Sequence, residues 1–449
     1  MVRGGCHLQQ GRSRIRGRGR RPPPFRTILR VLTVGEGPAR DTDPVRRMRL
    51  PRFPDDQVVP EGGRIVLLVL DGLGGLPHPE SGLTELETAR TPHMDALAGR
   101  ASLGSHSPVA PGITPGSGPA HLALFGYDPT THLIGRGALS ALGVGLDLEP
   151  GDIAARLNLA TFDGEGRVTD RRAGRPGDAE AERVVQRVRD GLNLPDGISV
   201  ELKVEKEHRV VLRVRGGGLA ANLSDTDPLH EGVPDLRCEA GDDASKRAAE
   251  VVRSFLSQAR EILADEPSLN GFLARGFAGH QEIPGYRERY GLKASAIAKY
   301  PMYRGVAKLV GMTVPGIPES TSGTIDVLTE HFADHDFHFL HFKETDTRGH
   351  DGDFDGKVAA IEEVDALIPR ILELGPDVLA ITGDHSTPTV MKEHSWHPVP
   401  TLIASALARP TASAFGEASC RGGDLGHLRA VDLMSHLLAH AGRLSKFGA

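Results

Sequence analysis

Arg64-Ile-Val-Leu-Leu-Val-Leu70 runs directly into Asp71-Gly72, and the reading of this stretch decides the fold class. A short apolar run rich in Val, Ile and Leu reads as a strand buried on both faces. Two further runs have the same form. Asp336-Phe-His-Phe-Leu-His-Phe342 leads into Lys343-Glu-Thr-Asp346-Thr-Arg-Gly-His350, and Pro376-Asp-Val-Leu-Ala-Ile-Thr382 leads into Gly383-Asp384-His385, with His394 nine residues on. In open α/β sheets, ligands gather beyond the carboxyl ends of the strands. Clusters hundreds of residues apart are therefore expected to converge on one site, in an α/β fold with a mixed, mostly parallel sheet.

A chain of 449 residues exceeds one simple core, so two domains are the default expectation. Hydrophobic residues at 39% and charged residues at 25% suit an ordinary globular protein, and aromatics at 4% argue against stacking as the main binding device. No apolar run approaches the ~18 residues that suggest a membrane span. Cys6, Cys238 and Cys420 form no C-x-x-C pair, which argues against a thiolate zinc site or a disulfide framework and for a reducing cytoplasm.

The net charge of −6 conceals an asymmetry. Residues 1–53 hold 14 of the 53 basic residues, all Arg, and only Glu36, Asp41 and Asp43 among 59 acids. The remainder carries 39 basic against 56 acidic groups, a formal balance of −17, which speaks against nucleic acid as a partner. The Arg-rich head, residues 1–57, reads as a disordered extension or as a start placed too early, with Met48 nearer the true one. A basic nucleic-acid arm or a transit segment are the rival readings, though Ser13 is its single serine and it has no clear amphipathic pattern.

From Val58 onward the pattern is ordered. Thr91-Pro92 reads as the N-cap and first turn of a helix. From about 150 the texture changes: Ile198–Val204 and Arg209–Val214 alternate like half-exposed strands, and Asp242–Leu263 has a helical apolar face. The expected organisation is a core formed by 58–145 and 291–449, interrupted by an α+β lid over 146–290.

The acid and histidine clusters suggest metal chemistry. Asp346 and His350 are four residues apart, so they share a face on a helical turn, and His394 is placed to complete that group. Asp384 and His385 are adjacent at the end of a second strand, near Asp71 at the end of the first. Mixed carboxylate and imidazole donors suit Mn, Zn, Fe or Co better than Ca. Singly, Asp71-Gly72 reads as a turn and each histidine as a surface or core residue; the joint pattern carries the reading. Ser117 lies between Gly116 and Gly118, where the backbone can present a hydroxyl and admit a phosphate. His121, four residues on, supports that loop or caps the next helix. Arg156, Arg171, Arg172, Arg175, His208, Arg209, Lys299 and Arg304 supply cations for an anionic substrate, each being otherwise an ordinary surface residue.

These residues resemble those of a known family. Leu-Val-Leu-Asp71-Gly-Leu-Gly, Thr114-Pro-Gly-Ser117-Gly-Pro-Ala-His-Leu-Ala-Leu-Phe-Gly-Tyr-Asp-Pro129, Thr-Asp-Arg-Arg-Ala-Gly-Arg175, Lys-Glu-Thr-Asp346-Thr-Arg-Gly-His350-Asp-Gly, Thr-Gly-Asp384-His-Ser-Thr-Pro and the tail Lys446-Phe-Gly-Ala449 are similar to the archaeal-type 2,3-bisphosphoglycerate-independent phosphoglycerate mutases of the alkaline phosphatase superfamily. The resemblance runs from about 63 to the C-terminus. It implies an alkaline-phosphatase-like core with an inserted lid, and two divalent ions. Manganese is the first choice, with Mg, Zn or Co as alternatives, and 2,3-bisphosphoglycerate is not a cofactor. Asp71, Ser117, Asp384 and His385 would hold one ion and Asp346, His350 and His394 the other, with His397 as the rival to His394. Ser117 would carry the phosphoryl group between the two positions of a phosphoglycerate. Lys299-Tyr300 resembles the Lys-Tyr pair that follows the lid in the longer bacterial mutases, which makes Lys299 a candidate substrate contact. Gly118-Pro119 departs from members that carry Asp-Thr there. The same ligand set would also serve a metal-dependent phosphohydrolase or another phosphomutase. A non-catalytic sensor fits less well, because all seven positions hold competent residues. The oligomeric state is not legible.

Overall fold

In a computed structural model, residues 57–448 are described. The expectation for the Arg-rich head falls almost wholly outside them. The strands, in chain order, are β1 (Ile65–Leu70), β2 (Ala101–Ser107), β3 (Ile153–Phe162), β4 (Val168–Asp170), β5 (Ile198–Lys206), β6 (Arg209–Gly216), β7 (Gly271–Gly279), β8 (Ala294–Ala298), β9 (Phe337–Phe342), β10 (Val378–Thr382), β11 (Val399–Ser405) and β12 (Gly426–Arg429).

Seven of these form one sheet in the order β12-β2-β11-β10-β1-β9-β8. β1 lies between β10 and β9 and runs parallel to both; β8 extends the parallel set, while β11 is antiparallel to its two neighbours. The sheet is thus mixed and mostly parallel. The three apolar runs are its central strands, and every residue of β1, β9 and β10 is buried. Alternation divides β1 between two cores. Ile65, Leu67 and Val69 pack with Leu433, Leu437 and Tyr286 on one face, and Val66, Leu68 and Leu70 pack with Leu97, Ile325 and Ile361 on the other. Register then sets the site. Leu70 pairs with Phe342 and Val69 with Thr382, so Asp71, Lys343 and the Gly383-Asp384 turn leave the sheet at one level.

β2 reads Ala-Ser-Leu-Gly-Ser-His-Ser, a polar and glycine-containing run that periodicity does not flag as a strand. It is fully buried nonetheless. Its serines find partners there: Ser102 donates to Asp424, and Ser105 and Ser107 bond the His427 ring.

The second sheet is built from residues between 153 and 279 and is antiparallel throughout, in the order β4-β3-β6-β5 with β7 on the other side of β3. One face buries Ile153, Ala155, Leu157, Val210 and Leu212 against Val184, Val188 and Phe255 of the helices Asp178–Gly191 and Lys246–Ile262. The opposite face carries Arg156, Arg209 and Arg275, because successive side chains alternate. This sheet meets the first near Tyr300, whose ring lies 5.5 Å from the Lys206 ammonium. Among the described residues no helix is long and apolar enough to cross a membrane.

Candidate metal centre

Asp71 follows β1 and is fully buried. Its Oδ2 accepts from His341 Nε2 at 2.9 Å and from the Lys343 ammonium at 3.2 Å; its Oδ1 has no hydrogen-bond partner. Burial works to raise this carboxyl, but Lys343, His341 and His385 outweigh it and hold the group well below the usual carboxylate range. Gly72 makes the turn possible. Its φ is +66°, its N–H donates to Asp384 Oδ1 at 3.0 Å, and a Cβ there would lie 2.5 Å from Thr387 Oγ1 and 2.9 Å from Asp346 Oδ1.

Asp384 and His385, after β10, are likewise fully buried. Asp384 Oδ2 lies 3.2 Å from both His121 Nδ1 and His385 Nε2 and has no hydrogen-bond partner. Two sets of donor atoms lie within 4.8 Å of one another: Asp71 with Asp384 and His385, and Asp346 with His385 and His394. His385 therefore stands between the two groups. His350 is next to the second, with Nε2 3.6 Å from Asp346 Oδ1, and is the most open of these side chains at 43% exposure.

Three histidines share one tautomer, and the reason is chemical. His394 Nδ1 faces the Pro115 carbonyl at 2.9 Å and His350 Nδ1 faces the Lys392 carbonyl at 3.1 Å; a carbonyl only accepts, so each Nδ1 bears the proton. Lys392 holds a φ of +59° while presenting that oxygen. Thr387 sets the tautomer of His385. Its hydroxyl donates to Asp346 Oδ1 at 2.7 Å, so it accepts from His385 Nδ1–H at 3.0 Å. All three Nε2 atoms are left facing carboxylates. His385 Nε2 lies 3.5 Å from Asp71 Oδ1, and His394 Nε2 lies 3.5 Å from Asp346 Oδ1. Asp71 Oδ1 and Asp384 Oδ2, buried without hydrogen-bond partners near His385 Nε2, together with Asp346 Oδ1 facing His350 and His394, form a mixed carboxylate and imidazole set of the kind a divalent cation takes.

Ser117 opens the helix Ser117–Leu124 with Gly116 as its N-cap. Its Oγ is 3.2 Å from His385 Nε2, and the residue is partly exposed. The first N–H groups of a helix have no partner within it, which makes this end receptive to anions. A Cβ on Gly118 would lie 2.9 Å from Leu139 Cδ1, so glycine lets the Ser117 turn pack against the neighbouring helix Arg136–Gly143. His121, one turn on, donates from Nδ1 to the Ser117 carbonyl at 2.8 Å and thereby supports the loop.

A family model described as 2,3-bisphosphoglycerate-independent phosphoglycerate mutase matches residues 98–268. A Thermus thermophilus protein named a probable 2,3-bisphosphoglycerate-independent phosphoglycerate mutase is 50% identical over 390 residues, covering 86% of this chain and 96% of its own. The chain belongs to this family. A Thermotoga petrophila member named in the same way is 48% identical over 398 residues, covering 88% of this chain and 98% of its own. Among solved structures, one of a Pyrococcus horikoshii protein superposes with a TM-score of 0.74 at 34% identity, covering 86% of this chain and all of that one. The cofactor-independent phosphoglycerate mutase of Thermoplasma acidophilum gives 0.64 at 29% identity, covering 84% of this chain and all of that one.

In this member of the mutase family, all seven residues expected as ligands gather at the ends of β1, β9 and β10. His397 does not join them, since its Nδ1 bonds Ser395 Oγ at 3.0 Å and its ring stacks on Trp396. The expected substrate residues divide. Burial and the neighbouring guanidinium of Arg209 push Arg156 down to about 10, against the pull of Glu205, with Arg136 and Arg275 adding to the effect. Arg209 Nε is buried without a hydrogen-bond partner. Arg171 is held bidentately by Asp227 at 2.7 Å, Arg172 is exposed on its turn, and His208 is buried and pushed down to about 4 by burial. Lys299 lines a cavity of about 420 Å³ with His341 and Lys343, and donates to the Glu319 carbonyl at 3.0 Å. Arg304 departs from expectation: it is buried, and its guanidinium bonds the carbonyls of Ala298, Lys299 and Gly143. It ties the end of β8 to the end of the helix Arg136–Gly143, with these carbonyls taking up donors on both terminal nitrogens.

Four site residues escaped sequence reasoning. His341, Lys343 and Thr387 touch the carboxylates and imidazoles directly, and Tyr303 stacks on His341 with centroids 3.6 Å apart. A signal existed for one of them: His341 is the last inward residue of a face that reads Phe337, Phe339, His341, so a polar group ends an apolar stripe at the carboxyl end of a parallel strand.

Proposed function

We propose that this chain interconverts 3-phosphoglycerate and 2-phosphoglycerate, the glycolytic and gluconeogenic step, through a phosphoserine at Ser117. The observation that carries the reading is the Ser117 hydroxyl 3.2 Å from His385 Nε2, at a helix N-terminus and beside both ligand groups. Asp71, Asp384, His385 and Ser117 would hold one divalent ion, and Asp346, His350 and His394 the other, with His385 at the boundary. Manganese is the first choice by family resemblance, with Mg, Zn or Co as alternatives; the mixed donor set by itself suits Mn, Zn, Fe or Co. Cys238 and Cys420 are buried free thiols, which suits a reducing cytoplasm.

When bound, such ions supply positive charge for the phosphoryl oxygens and lower the pKa of the serine hydroxyl. The residues perform the rest. Ser117 Oγ forms a bond to phosphorus as the bond to the glycerate 3-oxygen breaks, and the serine proton ends on that oxygen. The N-terminus of the helix Ser117–Leu124 faces the phosphoryl oxygens. Arg156 and Arg209, on the polar face of the second sheet, bind the carboxylate and phosphate of the substrate. Glycerate turns in place, its 2-oxygen bonds phosphorus as the Ser117–phosphorus bond breaks, and the proton lost by the 2-hydroxyl returns to Ser117 Oγ. Residues 146–290 act as the lid that keeps water from the phosphoserine over the core of 58–145 and 291–449.

An enolase-coupled assay with Mn²⁺ and 3-phosphoglycerate, run beside a phosphate-release assay, tests this. Formation of 2-phosphoglycerate is expected. Free phosphate without 2-phosphoglycerate would assign a hydrolase on the same core. Ser117→Ala is expected to abolish turnover and leave metal binding largely intact.

A further inference from the structure

Lys343 occupies a position where helix physics disfavours lysine. It is the N-cap of the helix Glu344–Asp351 and makes no capping hydrogen bond. Ser, Thr, Asp and Asn favour that position, and a positive charge there opposes the helix dipole. Its ammonium turns into the centre instead, 3.2 Å from Asp71 Oδ2 and in contact with Asp346 Oδ2. Asp71 belongs to one ligand group and Asp346 to the other, so a single side-chain cation spans both. The side chain is only 18% exposed, and its exposed part lines the cavity that also holds Lys299 and His341. Two buried carboxylates this close repel unless a cation stands between them.

We propose that Lys343 is the built-in counter-cation of the metal-free centre. It holds Asp71 and Asp346 in place before metal arrives, and it competes with divalent ions for their oxygens. This rests on the two-ion reading above. Lys343 is a positioning residue that trades metal affinity for a folded, preorganised metal-free site. A lysine that merely packed would leave metal affinity unchanged or, on removal, weaken it; a competing charge does the opposite.

The test uses the full chain, stripped of metal by a chelator and titrated with Mn²⁺ in a calorimeter, as wild type, Lys343→Met and Lys343→Arg. Lys343→Met is expected to bind Mn²⁺ about ten-fold tighter or more, and its metal-free form to melt below the wild type, with the two melting together in excess Mn²⁺. Lys343→Arg, which keeps the charge, is expected to behave like the wild type in both readouts. If metal-free Lys343→Met does not fold, recovery of a wild-type melting temperature in Mn²⁺ supports the proposal, and failure to fold even then overturns it. Equal or weaker Mn²⁺ binding by a folded Lys343→Met overturns it while leaving the two-ion reading standing. A wild type that binds no Mn²⁺ overturns both.

Discussion

The Thr387 hydroxyl donates to Asp346 Oδ1 at 2.7 Å. This one contact orients a carboxylate of the second ligand group and, through the same oxygen, fixes the proton of His385 on Nδ1. Thr387→Val keeps the shape and removes both functions, and metal affinity is expected to fall roughly 10- to 100-fold. Thr387→Ser restores it. Mn²⁺ titration of the two variants checks this; equal affinity of the valine variant and the wild type would remove Thr387 from the ligand support.

Gly72→Ala places a methyl where Thr387 Oγ1 and Asp346 Oδ1 already stand, at a φ of +66°. Strain of about 1–3 kcal/mol and a displaced Asp346 are expected. The variant should melt lower and bind metal more weakly, as read by thermal denaturation with and without Mn²⁺. A variant indistinguishable from the wild type would contradict the tight approach of these loops.

Lys357 is fully buried beneath the same loops, donating to the carbonyls of Thr387 at 2.9 Å and Gly74 at 3.2 Å, with Glu85 Oε1 3.8 Å away. Lys357→Met leaves two carbonyls unsatisfied and a buried carboxylate uncompensated. A loss of about 3 kcal/mol in unfolding free energy is expected from chemical denaturation. A loss below about 1 kcal/mol would show that the lysine is not the staple of these turns.

Burial pushes His106, His208 and His338 down to about 4 from an ordinary 6.5. Between those values the unfolded chain binds protons that the folded chain refuses. Stability is therefore fully present above pH 6.5 and is lost as pH falls toward 4. His338, bonded to Ser295 Oγ at 2.8 Å and facing the Phe332 carbonyl at 3.1 Å, is the cleanest probe, because neither hydrogen-bond partner belongs to the candidate metal centre. His338→Gln is expected to reduce the slope of unfolding free energy against pH in this window by about 1.4 kcal/mol per pH unit. An unchanged slope would show that His338 titrates normally.

The central strands were legible because burial on both faces forces a continuous apolar run, and the convergence of the acid and histidine clusters because they follow such runs. Ser117 drew attention through its flanking glycines, and its hydroxyl lies beside His385. What sequence could not reveal are the residues whose role depends on register between distant segments. Lys343 reads as a surface lysine until parallel pairing of β1 with β9 brings it level with Asp71. Thr387 reads as a turn residue until Gly72 admits it beside Asp346. Arg304 reads as a free cation until the fold surrounds it with carbonyls. The division of the candidate ligands into two groups likewise depends on His385, whose position in both is a fact of three dimensions.

The most direct test of the account is mass spectrometry of the Mn²⁺-loaded protein, acid-quenched during turnover of 3-phosphoglycerate. The account predicts a phosphoryl group on the peptide containing Ser117, absent when substrate is omitted. Turnover to 2-phosphoglycerate with no phosphate on Ser117, or with phosphate on another side chain, would contradict it.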